Sequence, residues 1–347
     1  MKKIAFRVDG GPTIGMGHIM RSIALAQAFP NDVKLMFITK ENESVKKVLN
    51  NYDFEIIYIS NNLNYGKEEI KKAKKIISKK DIDILVTDSY NIEQKYLNQI
   101  KNKVDELVTI HDFAPYAFPS DIVINGNIYA PELDYKSLYD DTKFLLGTDY
   151  TLLREEFNNL PQIEIKKEMK NILITVGGSD LLNLTPKIIK AFQLLEKSID
   201  DLKNINKDNV IINIVIGSGF DNIEEIIKEV RKSNFEISLS FNVKKMSKLM
   251  INSDMAISAG GSTLYELAIT GTPTISLIQA NNQLLVAKDM AEKGIIKNLG
   301  YWDFNLQELK NEITEIIQNY EKRKDMFLTG KNKIKNGVSN VVESILD

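Results

Sequence analysis

Residues 3–26 read KIAFRVDGGPTIGMGHIMRSIALA: a short apolar run that stops at Asp9, a glycine-rich turn, then apolar residues at helical spacing. A β-rich run followed by a turn and a helix is the opening of a βαβ unit. The pattern recurs along the chain. The runs VKLMFIT, FEIIYIS, DILVTD, ELVTIHD and DIVING follow, with helical stretches such as 19–29 and 68–79 between them. Strands that alternate with helices predict a parallel sheet.

A polar, charged stretch, LPQIEIKKEMK (160–170), interrupts this rhythm, which then restarts with NILITVGG, VIINIVIGSG, FEISLSF, DMAISAGG and TPTISLI. The expected fold class is therefore α/β, with two Rossmann-like, doubly wound parallel-sheet domains. Their expected bounds are 1–160 and 161–347, joined near 155–170, with helices from about 305 closing the second. Doubly wound sheets bind ligands outside the carboxyl ends of their strands, so two in tandem are expected to face each other across a substrate cleft.

Composition narrows the function. The chain has 347 residues, 43% of them hydrophobic, which is more than one compact core accommodates. Lys+Arg 45 against Asp+Glu 47 gives a net charge of -2, and no segment gathers basic and aromatic residues as a nucleic-acid surface needs. The absence of cysteine excludes disulfides, thiolate metal sites and a cysteine nucleophile. The first apolar run is broken by Arg7 and Asp9, short of a secretory segment, and no window approaches a transmembrane span. The expectation is a soluble, cytoplasmic monomer that engages neither nucleic acid nor membrane.

Three strand ends run into glycines: Gly10-Gly11 with Gly15 and Gly17, then Gly177-Gly178-Ser179-Asp180, then Gly260-Gly261-Ser262-Thr263. Such turns let backbone approach a ligand, and the following helix aims its free N–H groups and positive dipole end at an anion. Any one of them alone reads as a tight βα turn, but three together point to phosphate. None is a P-loop, because no Gly-Lys-Ser/Thr follows, and DGGPTIGMG lacks the glycine spacing of a dinucleotide fingerprint. In the helix that begins at Ser262 or Thr263 and closes at Gly271, Glu266 has two readings. It either completes a Thr-x-x-Glu capping box with Thr263 or accepts the hydroxyls of a ribose.

FRVDGGPTIGMGHIMRSIALA, ITVGGSD and ISAGGSTLYELAITGTPTISLIQANNQ, with VTDSYNI, DIVINGNIYA and GTDYTLLREEF, together resemble the UDP-sugar hydrolases of pseudaminic acid biosynthesis. That group includes related spore-coat polysaccharide proteins. It belongs to the GT-B superfamily and is similar to the N-acetylglucosaminyltransferase that makes lipid II. The resemblance implies that His18 is the general base and that Tyr90 and Asn282 line the sugar pocket. It also implies substrate contacts from Gly15, Gly17 and Arg21, a pyrophosphate cradle of Gly178, Ser179, Asp180, Asn183, Gly261, Ser262 and Thr263, and a ribose held by Glu266. Residues 241–246 and 217–219 are expected to flank the uracil. Two departures stand out. Met16 replaces a small polar residue between the glycines, and the family's Asp-Gly near the C-terminus is here Asn336-Gly337.

These residue types suit hydrolysis of a UDP-linked diacetamido-trideoxy sugar. Departing UDP spreads its charge over phosphate oxygens, so the site needs one base and one anion cradle. A neutral imidazole at His18, ahead of a helix expected near Ile19, is suited to take a proton from water, an aid of about 10²–10⁴-fold. Oriented backbone N–H groups would stabilise the growing phosphate charge. No metal or other cofactor is expected. Asp81-Ile82-Asp83 precedes a strand and reads as a solvated turn, and His111 reads as a structural histidine. Asp9, Asp88 and Asp112 are all candidates to orient His18 or a hydroxyl of the sugar. A transferase on the same fold and a non-catalytic nucleotide-sugar binding module are the rival readings.

Overall fold

The structure, a computed structural model, describes residues 1–11, 14–241 and 243–347. The chain divides into two compact units, one formed by Met1–Glu155 with Asn336–Asp347 and the other by Glu156–Lys335.

The first unit contains β1 (Lys3–Val8), α1 (Gly17–Ala28), β2 (Lys34–Lys40), α2 (Glu43–Leu49), β3 (Glu55–Ile59), α3 (Lys67–Lys80) and β4 (Ile84–Asp88). After these come α4 (Gln94–Lys101), β5 (Glu106–Ile110), β6 (Ala117–Phe118), β7 (Ile122–Asn125), β8 (Lys136–Ser137) and β9 (Lys143–Leu146). Its main sheet has seven strands in the order β3-β2-β1-β4-β5-β7-β9, and β6 pairs with β8 separately. Every pairing in the main sheet is parallel. The chain winds outward from β1 in one direction and then returns to build from β4 in the other. The β1/β4 boundary is thus the switch point where such sheets bind ligands.

Side-chain alternation divides the core of this unit into two layers. Ile4, Phe6 and Val8 of β1, Ile84 and Val86 of β4, and Val108 and Ile110 of β5 pack on one face with Ile19 and Ile23 of α1. Ala5, Leu85 and Leu107 pack on the other with Ile70 and Ala73 of α3 and with Leu97 of α4.

The second unit contains β10 (Asn171–Thr175), α5 (Leu184–Leu195), β11 (Ile211–Ile216), α6 (Ile223–Val230), β12 (Glu236–Phe241), α7 (Met246–Ile251) and β13 (Met255–Ala259). It continues with α8 (Thr263–Thr270), β14 (Thr274–Ile278), α9 (Leu284–Glu292), β15 (Lys297–Tyr301), α10 (Leu306–Gln318) and α11 (Tyr320–Lys333). Its sheet has six strands in the order β12-β11-β10-β13-β14-β15, all parallel, which places a second switch point between β10 and β13. Ile172, Ile174, Ile212, Ile214 and Ile257 form its core with Ile188 and Phe192 of α5 and Leu309 and Ile313 of α10.

Two expectations are corrected. The last helix, α12 (Val338–Leu346), does not close the second domain: Val338, Val341 and Ile345 bury against the α1 face of the first unit. Its apolar stripe forecasts burial, but nothing in the stripe names which core receives it. The first helix begins at Gly17, so His18 lies inside its first turn, not ahead of it. Met16, partly buried, packs against the core of the first unit.

Candidate functional site

Gly15 has φ +85, a left-handed value that glycine adopts without strain, and its N–H and C=O exchange hydrogen bonds with Gly11 at 2.7 and 3.2 Å. That loop delivers the chain into α1 at the β1/β4 switch point. Pro12 and Thr13 lie outside the described residues. On α1, His18, Arg21 and Ser22 stand at i, i+3 and i+4, which places them on one face.

The same alternation that sorts the core selects the aspartates facing α1. Asp88 continues the parity of Ile84 and Val86, and Asp112 that of Val108 and Ile110, so both turn toward α1. Asp9 has the opposite parity and turns to the α3 face, where it pairs with Arg7 at 2.7 Å and accepts from the Tyr65 hydroxyl at 2.8 Å. Asp88 is therefore the carboxylate beside His18, with Oδ1 2.6 Å from Nδ1. A carboxylate at that distance makes Nδ1 the protonated nitrogen and leaves the lone pair on Nε2.

Arg21 forks onto Asp88, with Nε donating to Oδ2 at 2.7 Å and Nη2 to Oδ1 at 2.6 Å, while Nη1 donates to Asp112 Oδ1 at 2.7 Å. The Tyr90 hydroxyl donates to Asp112 Oδ2, and Asn127 Nδ2 donates to Oδ1 at 2.8 Å. The Tyr90 ring stands edge-on to the His18 ring, with centroids 4.7 Å apart. His18 is 6% exposed and Tyr90 37%, so the tyrosine is the open wall of a largely buried cluster.

Burial alone would raise the carboxyl pKa of Asp88 and Asp112, but the Arg21 charge, followed by His18, outweighs it and holds both below the ordinary carboxylate value. Burial would likewise lower Arg21, yet Asp112 and Asp88 raise it well above the ordinary guanidinium value. Both carboxylates stay ionised and the guanidinium stays charged. His111 turns to the opposite face, stacked edge-on against Tyr116 and Phe118, and burial lowers its pKa. It makes no hydrogen bond to the His18–Asp88 pair, but the Tyr90 ring that packs on His18 also stands edge-on to it, with centroids 5.8 Å apart.

The resemblance placed Arg21 on the substrate. The structure instead engages its guanidinium with two carboxylates, and the side chain is 18% exposed. A cation so committed orients its partners.

In the second unit the glycine loops gather at the carboxyl edge of the sheet. Gly178 is exposed and Ser179 half-buried, and neither Gly177 nor Gly178 has an atom within 4 Å of where a Cβ would stand. Gly219 donates its N–H to Gly178 O at 2.9 Å, so residues 217–219 brace this loop from β11. Asp180 departs from its expected place at the pyrophosphate. It is 1% exposed and accepts from Leu184 N–H at 2.7 Å and Thr185 N–H at 2.9 Å, serving the amino end of α5. Asn183 is exposed at that end, and its Oδ1 accepts from Asn222 Nδ2 at 2.7 Å.

On the other side of the switch point, Thr263 is the first residue of α8 and Ser262 its cap, with no side-chain capping bond. Thr263–Glu266 therefore spans N1 to N4, whereas a capping box runs from N-cap to N3. The capping-box reading of Glu266 falls away; the residue is half-buried in the first turn of α8. Gln283 folds back over this turn. Its Oε1 accepts from Gln279 N–H at 2.8 Å, and its Cβ is 3.1 Å from where a Cβ on Gly260 would stand. Its chain neighbour Asn282 is exposed. Of the segment 241–246 expected at the uracil, Asn242 lies outside the described residues.

Asn127, Asn222 and Gln283 are supports that the sequence reading did not single out. The signal for Asn222 is its place just past GSGFD, at the cap of the next helix. Asn127 carried no such signal, because its loop had no fixed turn type to read.

Residues 171–342 match the model described as the glycosyltransferase family 28 C-terminal domain. The chain is 27% identical over 330 residues to the spore coat polysaccharide biosynthesis protein SpsG of Bacillus subtilis, covering 93% of this chain and 91% of that protein. It is 25% identical over 293 residues to the UDP-2,4-diacetamido-2,4,6-trideoxy-beta-L-altropyranose hydrolase of Campylobacter jejuni, covering 84% of this chain and 97% of that relative. Among solved structures, MurG of Acinetobacter baumannii superposes with a TM-score of 0.70 at 14% identity, covering 100% of this chain and 99% of MurG. The fold is GT-B. Within this GT-B chain the family 28 match runs from β10 into α12, which includes the glycine loops of the second unit and excludes His18, Asp88 and Asp112. Among the described residues, no helix is long and apolar enough to cross a membrane, and no group of three or more acidic or histidine side chains is placed to hold a metal ion.

Proposed function

We propose that this protein hydrolyses a UDP-linked diacetamido-trideoxy sugar to the free sugar and UDP. The observation that carries the reading is the 2.6 Å contact between His18 Nδ1 and Asp88 Oδ1, which leaves Nε2 as the basic nitrogen of a ring packed edge-on against the partly exposed Tyr90. The activity for which the Campylobacter jejuni relative is named supports the same substrate class.

In this mechanism the second unit holds UDP. Backbone N–H groups around Gly178 and Gly261 receive the phosphates at the amino ends of α5 and α8, with Ser179, Ser262 and Thr263 adding hydroxyls. Glu266 takes the ribose hydroxyls. Tyr90 and Asn282 flank the sugar. His18 Nε2 removes a proton from water, the water oxygen forms a bond to the anomeric carbon, and the bond to the β-phosphate oxygen breaks with its electron pair leaving on UDP. Attack opposite the leaving group inverts the anomeric configuration. Asp88 faces the imidazolium that forms, as a buried partner for the new charge.

The test is to incubate the purified protein with UDP-2,4-diacetamido-2,4,6-trideoxy-β-L-altropyranose and no acceptor. Stoichiometric UDP and free sugar are expected. Intact donor would overturn hydrolysis and favour sugar transfer, the second reading, which the family 28 match supports.

A further inference from the structure

We propose that Asp112 is the positioning residue that locks the base and the open wall of the sugar pocket into one arrangement. The inference rests on the hydrolase reading for its kinetic consequence and on geometry alone for its structural one. Asp112 is 7% exposed, and its two oxygens serve three side chains from different segments. Oδ1 accepts from Arg21 Nη1 at 2.7 Å and Asn127 Nδ2 at 2.8 Å, and Oδ2 accepts from the Tyr90 hydroxyl.

Two of these partners bear on His18. Arg21 grips Asp88 through Nε and Nη2, which leaves Asp88 no freedom to rotate away from the imidazole. Its Nη2 also lies 3.0 Å from His18 Nδ1. A donor facing Nδ1 invites the tautomer in which Nδ1 accepts, which would place the proton on Nε2 and abolish the base. The fork prevents this by holding Nη2 on Asp88 Oδ1, and the fork can hold that angle only while Nη1 is tied to Asp112 on the far side. Tyr90 is the other partner: its ring edge confines the imidazole while its hydroxyl is anchored on Asp112.

The charge count points the same way. Two buried carboxylates face one guanidinium, so the cluster carries one negative charge in excess when His18 is neutral. Proton abstraction by His18 discharges that excess without moving any group, which is electrostatic preorganisation for the imidazolium. Asp112 supplies this second carboxylate without touching the imidazole or any reacting atom.

The chain has two histidines, so ¹⁵N-histidine labelling with His111→Asn for assignment resolves the His18 ring without substrate. In the parent protein Nδ1 is expected protonated and Nε2 unprotonated; a protonated Nε2 in the neutral ring would overturn the proposal. Asp112→Asn is expected to mix the two tautomers. Its kcat should fall about 10- to 100-fold, a part of the 10²–10⁴ that a general base supplies, with KM changed less than about threefold and a displaced kcat pH profile. Asp112→Glu is expected to recover part of the loss. Should Asp112→Asn not fold, Arg21→Lys serves instead, since an ammonium cannot fork across two carboxylates, and the same mixing is expected. A folded Asp112→Asn or Arg21→Lys protein with an unmixed tautomer and an unchanged kcat pH profile would sink the proposal. If the parent protein shows no turnover while the tautomer still responds to Asp112, the hydrolase reading fails and the positioning role stands.

Discussion

Nδ1 of His18 lies 2.6 Å from Oδ1 of Asp88, across 70 residues of sequence, because a helix face and a strand parity meet at one switch point. Removing the charge while keeping the shape isolates what that contact does. Asp88→Asn is expected to lower kcat by about 10²–10⁴-fold, because an amide can present its N–H₂ to the imidazole and select the wrong tautomer. UDP affinity, measured by calorimetry, should change little, since the nucleotide cradle proposed above is built from residues of the other unit. Unchanged turnover in a folded Asp88→Asn protein would take this carboxylate out of the mechanism.

Acid should weaken the protein in two stages. Burial lowers the His111 pKa, so the folded state refuses a proton that the unfolded chain accepts near pH 6.5. That contribution is complete above about pH 6.5 and declines as pH falls below it. Asp88 and Asp112 are also lowered in the folded state, so their contribution is present above about pH 3.9 and is lost as pH drops through their folded values. Urea midpoints between pH 7.5 and 4.5 should show the first decline, and His111→Asn should flatten it. A midpoint that stays level in the parent protein across that range contradicts the assignment.

Much of this was legible in the sequence. The strand runs KIAFRVD, VKLMFIT, FEIIYIS, DILVTD and ELVTIHD match β1 to β5 to within two residues, because buried parallel strands read as continuous apolar runs. The aspartates were also decidable, since counting alternate residues back from Asp9, Asp88 and Asp112 sorts them between the two sheet faces. What could not be read is the destination of α12, because an apolar stripe fits any core. The role of Arg21 was equally hidden. A helix places it one turn after His18, but only the fold brings Asp88 and Asp112 to its two edges. Asp180 looked like a phosphate neighbour by its position beside Gly178-Ser179, and the backbone path after it turned both oxygens onto α5.

The glycine loops of the second unit separate support from contact. A Cβ on Gly217 would lie 2.5 Å from Gly178 O and 2.8 Å from Gly177 O, so backbone must move. Nothing lies within 4 Å of a Cβ on Gly178. Gly217→Ala is therefore expected to lower the melting temperature and weaken UDP binding together. Gly178→Ala should leave melting unchanged and weaken UDP binding by about tenfold, roughly 1.4 kcal/mol, by crowding the phosphate approach. Calorimetric titration with UDP and a thermal melt on both variants decide this. Full UDP affinity in Gly178→Ala would move the pyrophosphate elsewhere.

Asn336-Gly337 closes the first unit where the chain returns to it. Asn336 Nδ2 donates to Leu153 O at 3.1 Å while its Oδ1 accepts from Leu153 N–H at 3.3 Å, a two-way clasp that an amide can make and a carboxylate cannot. Gly337 follows with its N–H on Thr151 O at 2.8 Å, and a Cβ there would lie 2.2 Å from Asp149 O and 2.5 Å from the Tyr150 Cα. Gly337→Ala must push α12 off the core residues it covers, at a cost of about 1–3 kcal/mol. Lys71→Ala, on the exposed face of α3, is the control and should stay within about 0.5 kcal/mol of the parent. Chemical denaturation of both variants measures the difference. Equal midpoints would mean that α12 contributes nothing to the stability of the unit it packs against.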